Sequence, residues 1–303
     1  MLAIIIPYFK FIFFEQTLQS LANQIDQRFK VYIGDDASDE NPLPLLEDYT
    51  GKFDYVYHRF DTNLGKVSLV KQWNRCIGLS ANEEWIMILG DDDELGPACV
   101  ADFYSNLPHI TTNNCHVIRF ATVVSYELLQ YKSKVFKHPQ LENAVNFFFR
   151  KIEDTTRSSL SEYIFDRKSF EKFGFADYRL AWHADDRAWL EFSAGNPIYS
   201  INSSIVNFRL SSANISRSDF KIKEKLEASF SFFSFLYVNY FKSFTKVQKN
   251  EFIMQYEQLI YKNKKASFRL WFLLLYSLLL NCQLLQSLKF SRRYLIHLRK
   301  NAS

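Results

Sequence analysis

The chain has 303 residues, 48% of them hydrophobic, and a formal net charge of +4. This length suits one large domain or one domain with an appendage, and the apolar content argues against a disordered chain. Its four cysteines are scattered, which argues against a disulfide framework or a zinc site and predicts a cytoplasmic protein. They are Cys76, Cys99, Cys115 and Cys282.

The first hundred residues alternate short apolar runs with segments of helical periodicity. The opening run, MLAIIIPYFK, has no basic stretch before it and predicts a strand rather than a signal peptide. Apolar runs predict strands at 2–6, 29–33, 53–58 and 85–89. Helices are predicted from Leu18, Leu21 and Ile25, and from Val67, Val70 and Ile77. Strands separated by helices predict a parallel sheet, whose ligands bind beyond the carboxyl ends of the strands.

Polar motifs directly follow three of these strands: PYFK, GDDAS and GDDDE. They should therefore converge on one edge of the sheet. The last motif holds Asp91, Asp92 and Asp93, whose adjacent carboxylates repel one another and need a compensating partner. They form either a solvated turn, with Asp93 or Glu94 near the start of a helix, or a site for a divalent cation that itself holds phosphates.

The middle of the chain is mixed, and its end is helical. The predicted elements are a strand at 115–126, a strand and a short helix within 157–175, a helix at 185–195 and a strand at 202–210. Gly174 should end the first of these helices and Gly195 the second, whose start an aspartate should cap. From about residue 216 the pattern is helical to the end.

The order and spacing of several motifs carry a family resemblance. In the first hundred residues they are IIIPYFK, YIGDDASDE, DTNLGKVSLVKQWNRCIG and ILGDDDELGP. With SEYIFDRKSFEKFGF, HADDRAW and FRLSSANIS farther on, the chain resembles a family 2 glycosyltransferase over about residues 1–216. The resemblance implies an α/β fold of the GT-A type as the catalytic domain, 1–215, with a mostly parallel sheet flanked by helices. A helical extension would occupy 216–303.

The resemblance also implies the reaction. An inverting enzyme of this kind moves a sugar from a nucleotide-sugar donor, here expected to be UDP-linked, to a hydroxyl of a saccharide or lipid-linked saccharide. The expected cofactor is Mn²⁺ or Mg²⁺, and the expected base in the single displacement is an aspartate.

The ends of the first two strands are expected to hold the nucleotide. By resemblance, Pro7 and Tyr8 line the base pocket, Tyr8 by stacking or through its backbone. Asp35 or Asp36 accepts a hydrogen bond from the uracil imide, and Asp36 is the favoured residue. Without the resemblance, this pair would more simply cap a turn.

The loop before the second predicted helix is expected to meet the phosphates. Gly65 allows close backbone approach, and Lys66 can pair with phosphate, with Asn63 beside them. An isolated lysine in such a loop is more often a solvated surface charge.

The metal assignment follows the acidic motif. The resemblance implies Asp92 as the metal-binding aspartate, with Asp91 beside the ribose and the metal. Many relatives have aspartate where this chain has Gly90, so the usual D-x-D spacing falls on Asp91 and Asp93 or is shifted. Which of the three carboxylates binds the metal therefore stays open.

HADDRAW supplies the expected base. Its acidic pair, Asp185 and Asp186, resembles an E-D motif in which the second acid is the base, so Asp186 is assigned as base and Asp185 as its orienter. The alternative is a doubled helix cap. Trp182 and His183 are expected on the acceptor side, with His183 as a polar wall rather than a metal ligand.

FRLSSANIS is expected to contact the diphosphate. The resemblance implies that Arg209 clamps it by bidentate hydrogen bonds. Ser211 or Ser212 stands where the family often has a histidine, which removes one possible contact to the diphosphate or the metal.

The end of the chain is basic. After Glu257 the sequence has no acidic residue and nine Lys or Arg residues, and its apolar core is too short to span a membrane. The segment is either a helix packed on the catalytic domain or in a dimer, or a basic amphipathic segment on an anionic membrane. No motif for nucleic acid is present. The resemblance favours a peripheral position on the cytoplasmic face of the inner membrane.

Two other functions fit the sequence less well. A nucleotidyltransferase would carry a glycine-rich basic loop after the first strand, and PYFKFIFFE has no glycine. A non-catalytic, membrane-associated relative that binds sugar nucleotides would not need both the triple aspartate and HADD.

Overall fold

The computed structural model describes residues 1–211, 221–263, 268–281 and 284–302. The chain divides into two compact units, Met1–Asp219 and Phe220–Ser303. The boundary expected at 215–216 lies outside the described residues, as do Ser212 and Cys282. The described cysteines are free and buried: Cys76, Cys99 and Cys115.

The first unit is built on a sheet whose first half is parallel. Its strands are β1 (Leu2–Tyr8), β2 (Phe29–Asp35), β3 (Asp54–Arg59) and β4 (Trp85–Ile88). They lie in the order β3-β2-β1-β4, and all three pairings are parallel. The apolar β1 is almost entirely buried, as an interior parallel strand should be. The carboxyl ends of the four strands therefore meet at one edge, as predicted.

The second half of the sheet mixes strand directions. Its strands are β5 (Glu94–Leu95), β6 (Val117–Tyr126), β7 (Tyr131–Lys132), β8 (Leu141–Asn143), β9 (Tyr163–Asp166) and β10 (Pro197–Leu210). β9 lies between β4 and β6 and is antiparallel to both. β10 is parallel to β6 and antiparallel to β5, which brings Asn207 opposite Glu94. The short β9 thus joins the parallel half to the rest of the sheet.

Helices flank this sheet, and two of them are shorter than predicted. They are α1 (Phe14–Ala22), α2 (Leu43–Glu47), α3 (Leu69–Ile77), α4 (Cys99–Thr112), α5 (Ala144–Ile152), α6 (Arg167–Phe173) and α7 (Ala184–Phe192). Ile25 lies beyond the end of α1 and is 73% exposed. Val67 precedes α3 and is 76% exposed, because Ser68 caps that helix by accepting a hydrogen bond from the Lys71 N–H. The prediction that Ile25 and Val67 lie within these helices is therefore wrong.

Two helix starts also differ from the predictions. α4 begins only at Cys99, so a turn and β5, rather than a helix, follow the three aspartates. His183 occupies the N-cap position of α7, and the predicted aspartate cap is wrong because Asp185 and Asp186 lie within the first turn. Gly174 ends α6 with φ 62°, as predicted.

The second unit is helical. Its helices are α8 (Ile222–Asn239), α9 (Lys246–Lys262), α10 (Phe268–Leu280) and α11 (Leu284–Ala302). Aromatic pairs fill its interior: Phe233 stacks on Phe252 at 5.3 Å between ring centroids, and Trp271 stacks on Tyr294 at 4.5 Å. Within the described part of the chain, no helix combines the length and apolar character needed to cross a membrane.

Candidate functional site

The turn after β4 lies against the loop after β1. The Asp91 carboxylate accepts hydrogen bonds from the backbone N–H groups of Phe9 at 2.8 Å and Lys10 at 2.7 Å. The loop after β2 joins them, because the Asp36 N–H donates to the Tyr8 carbonyl at 2.9 Å. The three polar motifs therefore converge at one edge of the sheet, as predicted.

Asp93 is the most buried of the three aspartates, at 2% exposure. Its carboxylate accepts hydrogen bonds from the Ser161 hydroxyl and, at 2.8 Å, from the Arg209 backbone N–H. Burial and the charge of Asp92 raise the pKa of Asp93 to about 7 and that of Asp91 to about 6. Because the donors that hold these two carboxylates are neutral, a bound cation would stabilise their ionised forms.

Asp92 lies between these residues, and the Lys10 ammonium is 4.0 Å from its carboxylate. Across the residues that the structure describes, no three His, Cys, Asp or Glu side chains are grouped to hold a metal ion. Mg²⁺ is commonly bound by one or two carboxylates together with substrate phosphates and water. The acidic turn therefore fits a divalent ion that is held jointly with a diphosphate, rather than in a cage made by the protein alone.

Gly90 leaves room for the acidic side chains that follow it. A Cβ atom at this position would lie 2.9 Å from an Asp93 carboxylate oxygen and 3.1 Å from one of Asp92. The Gly90 N–H also donates to the Ser161 hydroxyl at 3.0 Å. An aspartate at position 90 would thus displace the carboxylates seen here.

The Arg209 guanidinium is buried and engaged by acidic side chains. It pairs with Glu94 and Glu127 and donates to the Asp92 carbonyl at 3.0 Å. Its planar face lies over the Phe13 ring, 4.4 Å from the centroid. A diphosphate would have to compete with two carboxylates, so the structure does not support the predicted clamp. Arg209 instead holds the aspartate turn in place.

Asp35 is fully buried and acts within the protein. One carboxylate oxygen accepts a hydrogen bond from the Ser38 N–H at 2.8 Å, and the other from the Tyr57 hydroxyl at 2.6 Å and from Arg59 at 2.9 Å. Burial, then the hydrogen bond to Asp35, raises the pKa of Tyr57 to about 12. Asp35 therefore joins β2 to β3.

Asp36 orders the loop that was expected to meet the phosphates. Its carboxylate accepts hydrogen bonds from the N–H groups of Leu64 at 2.7 Å and Gly65 at 2.9 Å, and it pairs with Arg75. A Cβ atom at Gly65 would lie 2.5 Å from this carboxylate, so the close approach that glycine permits is to Asp36. A carboxylate has about four acceptor positions, so one remains for a ligand.

Two other predicted contacts near this loop are located by the structure. The Asn63 side chain accepts a hydrogen bond from the Lys66 N–H at 2.8 Å, which forms a local turn, and the Lys66 side chain is exposed.

The Tyr8 ring is 0% exposed and lies 4.5 Å from that of Phe14, so stacking of Tyr8 on a base is excluded in this structure. Only the backbone alternative for Tyr8 remains, next to the half-buried Pro7.

The acidic pair of α7 has a cation of its own. The Lys151 ammonium, on α5, pairs with the buried Asp186 carboxylate, which also lies 2.7 Å from Nδ1 of His183. Although burial alone would raise it, the Lys151 charge and the His183 hydrogen bond hold the pKa of Asp186 well below its usual range. Burial and the charge of Asp186 raise the pKa of Asp185. Asp186 is therefore the more readily ionised member of the pair.

The backbone before α7 is strained. Leu180, Ala181 and His183 have φ values of 60°, 53° and 67°, a region that non-glycine residues seldom adopt. Such strain is common at functional sites. It directs His183 onto Asp186, and the Trp182 ring lies 5.7 Å from the imidazole.

Sequence reasoning missed several residues of the site. Lys151 lies in a segment without a motif, and nothing in the sequence pointed to it. Ser161 and Arg75 lie inside quoted motifs but received no role. Although burial lowers it, the charges of Asp186 and Asp185, and to a smaller extent that of Glu162, raise the pKa of Lys151.

Comparisons with known proteins agree with this geometry. The family model described as glycosyl transferase family 2 matches residues 3–172. The 1–349 fragment of S. aureus TarS in complex with UDP-GlcNAc is 16% identical, with a TM-score of 0.56 over 99% of this chain and 92% of that one. The same fragment without a named ligand is 15% identical, with a TM-score of 0.54 over 83% and 80%. A longer TarS structure is 16% identical, with a TM-score of 0.56, and the match covers 96% of this chain but 54% of that one.

At these low identities, the structural matches show that the fold is shared and no more. A search of curated proteins finds no match to the sequence.

Proposed function

The chain belongs to glycosyl transferase family 2 and is a glycosyltransferase, and we propose that its donor is a UDP-linked sugar. The acceptor would be a hydroxyl of a saccharide or lipid-linked saccharide, and transfer would invert the anomeric carbon. The TarS fragment of similar fold is described with UDP-GlcNAc and with UDP, which supports this donor class.

The observation that carries the proposal is the buried aspartate turn at the edge where three loops converge. The carboxylates of Asp91 and Asp93 are held by neutral donors, and both have raised pKa values. A nucleoside diphosphate is itself anionic, so it would bind here only together with a cation. We assign Asp92 to a divalent ion, Mn²⁺ or Mg²⁺, with Asp91 and Asp93 as the other candidate ligands. The ion would neutralise the diphosphate as it departs.

The chain's own residues supply the remaining chemistry. Asp186 accepts the proton of the acceptor hydroxyl while that oxygen forms a bond to the anomeric carbon. The bond from this carbon to the diphosphate oxygen breaks, and its electron pair leaves with the nucleotide. Lys151 and His183 hold Asp186 ionised and oriented, and Asp185 supports it from the same turn. A single displacement of this kind inverts the configuration.

The donor side is assigned from the loops after β1 and β2. Asp36 has an acceptor position for the uracil imide, and Pro7 with the Tyr8 backbone would border the base. Lys10 and the exposed Lys66 are the cations available to the phosphates. Trp182 remains the candidate wall for the acceptor sugar.

The first test is a calorimetric titration of the protein with UDP, with and without Mn²⁺, and with GDP as the competing nucleotide. We expect UDP binding that requires Mn²⁺ and is lost in Asp92→Ala. Asp48→Ala, which removes an exposed carboxylate at the end of α2, is the matched control and should bind normally. Tighter binding of GDP would overturn the UDP assignment. Absence of binding by any nucleoside diphosphate with either ion would overturn the donor site as a whole.

A further inference from the structure

The last two helices each expose a row of large apolar side chains. On α11, residues Leu285, Leu288, Arg292, Leu295 and Arg299 follow one another at alternating intervals of three and four, and all are exposed. This spacing places them on one side of the helix. Leu288 is 70% exposed and Leu295 58%, so the leucines of this row are not part of the interior.

α10 repeats the pattern. Four of its exposed apolar residues, Phe268, Phe272, Tyr276 and Leu279, also lie three or four positions apart, and Leu273 and Leu280 are exposed beside them. We call the exposed rows of α10 and α11 together the C-terminal apolar face. Rows of large apolar side chains are seldom left exposed on a protein surface unless they bind something.

The two helices already have an inner side. Leu274 and Leu278 of α10 are buried, as are Phe290 and Tyr294 of α11. Each helix is therefore apolar on two sides, one that packs inside the unit and one that is exposed. Formation of the core of this unit does not account for the exposed leucines and aromatic residues.

The exposed charged residues that the structure describes on α10 and α11 are all basic. Arg269, Lys289, Arg292 and Arg299 are exposed on the same two helices, and no acidic residue follows Glu257. Glu257 itself is buried and paired with Arg293, which donates to it at 2.6 Å. The described surface of α10 and α11 is thus apolar and basic.

We infer that the C-terminal apolar face binds the surface of an anionic lipid bilayer. The leucines and aromatic rings would lie in the acyl boundary, and the arginines would contact acidic headgroups. A second copy of the chain placed on the same face would bring arginine against arginine with no acid to pair. Nucleic acid would account for the arginines but not for the exposed leucines.

Membrane binding would also bring the enzyme to lipid-linked acceptors. That consequence alone rests on the proposed function. Binding to the bilayer is a property of the second unit, and it is measured without any sugar transfer.

The test is co-sedimentation of the full-length protein with vesicles of phosphatidylcholine, with and without phosphatidylglycerol. We expect binding only when the anionic lipid is present, and release at high salt. Arg292→Gln/Arg299→Gln should weaken binding by roughly 30-fold, because each basic residue near such a surface contributes about fivefold. Leu288→Ser/Leu295→Ser should weaken it by about tenfold or more.

Matched controls come from other helices of the same unit. Lys223→Gln/Lys242→Gln removes two exposed charges, and Val238→Ser/Val247→Ser removes two exposed apolar residues, so both variants should bind like the parent protein. Calorimetric UDP binding should be unchanged in all four variants, which keeps this inference distinguishable from the proposed donor site. Equal binding to uncharged vesicles, equal losses in the controls, or a dimer in solution that the leucine variant dissociates would each overturn the inference.

Discussion

The two acidic groups of this enzyme, the Asp91–Asp93 turn and the Asp185–Asp186 pair, differ in the charge of the groups that hold them. Asp91 and Asp93 are held by backbone N–H groups and a hydroxyl, and their pKa values are raised to about 6 and 7. Asp186 has the Lys151 ammonium against it, and its pKa is held low. Both centres are buried, so the difference lies in the charge of the donors and not in exposure to water.

This difference favours the aspartate turn over the Asp185–Asp186 pair as the place for the proposed metal ion. A carboxylate with its own lysine is complete within the protein and remains ionised, as a base must before it accepts a proton. In the aspartate turn, by contrast, the carboxylates of Asp91 and Asp93 are held by neutral donors, which do not offset their charge when they are ionised. The proposed metal and diphosphate would complete the first centre, whereas the acceptor hydroxyl would meet the second.

The largest expected effect is the loss of the base. Asp186→Asn should lower turnover by about 10²–10⁴-fold, the usual contribution of a positioned base, and should leave Mn²⁺-dependent UDP binding intact. Steady-state transfer assays combined with calorimetry would measure both quantities. Unchanged transfer would remove Asp186 from the mechanism.

The second-largest loss of turnover is expected for Asp92→Ala. We expect turnover to fall by about 10²–10³-fold, the scale seen when one electrostatic contact to a developing charge is removed. Saturating Mn²⁺ should not restore it. If Asp92→Ala retained transfer while Asp91→Ala or Asp93→Ala lost it, the ion would be assigned to that neighbour instead.

Lys151→Met should change the pH dependence more than the maximal rate. Lys151 holds the pKa of Asp186 down, so its removal should let that pKa rise. The acid limb of kcat/KM would then move to higher pH by about 1–3 units. Lys151→Arg keeps the charge and should keep the limb near its original position. A limb that stays in place in Lys151→Met would show that another group sets it.

Gly90→Ala is expected to have the smallest effect. The new Cβ would lie 2.9 Å from an Asp93 oxygen that Ser161 already holds, so the carboxylates must shift. Overpacking of this kind costs about 1–3 kcal/mol, and we expect metal-dependent UDP binding to weaken by roughly tenfold. Gly51→Ala, at an exposed turn with positive φ, controls for general loss of stability in a melting experiment.

Local patterns were enough to predict the parallel half of the sheet and the edge where the motifs meet. Each strand from β1 to β4 is a short apolar run bounded by polar residues, and the parallel arrangement follows from the helices between them. Helix ends were less predictable. Val67 fits the helical period of α3, but the Ser68 cap excludes it from the helix.

The partners within the site could not be predicted, because they depend on packing between distant segments. Lys151 and Asp186 are 35 residues apart, and they meet only because α5 and α7 pack against each other. Arg209 was expected to clamp a diphosphate, whereas in the structure Glu94 and Glu127 engage its charge. The Tyr8 ring lies inside the protein because Phe14, at the start of α1, packs on it.

The position of β9 in the sheet determines when the edge of β4 can be paired during synthesis. β1 to β4 are present once residue 88 has been made, but the free edge of β4 has no partner until Tyr163–Asp166 emerges. Unpaired apolar strand edges associate with other chains and recruit chaperones. A nascent chain that stalls after Ile152 should therefore be held by chaperones, whereas one that has passed Asp166 can cover that edge itself.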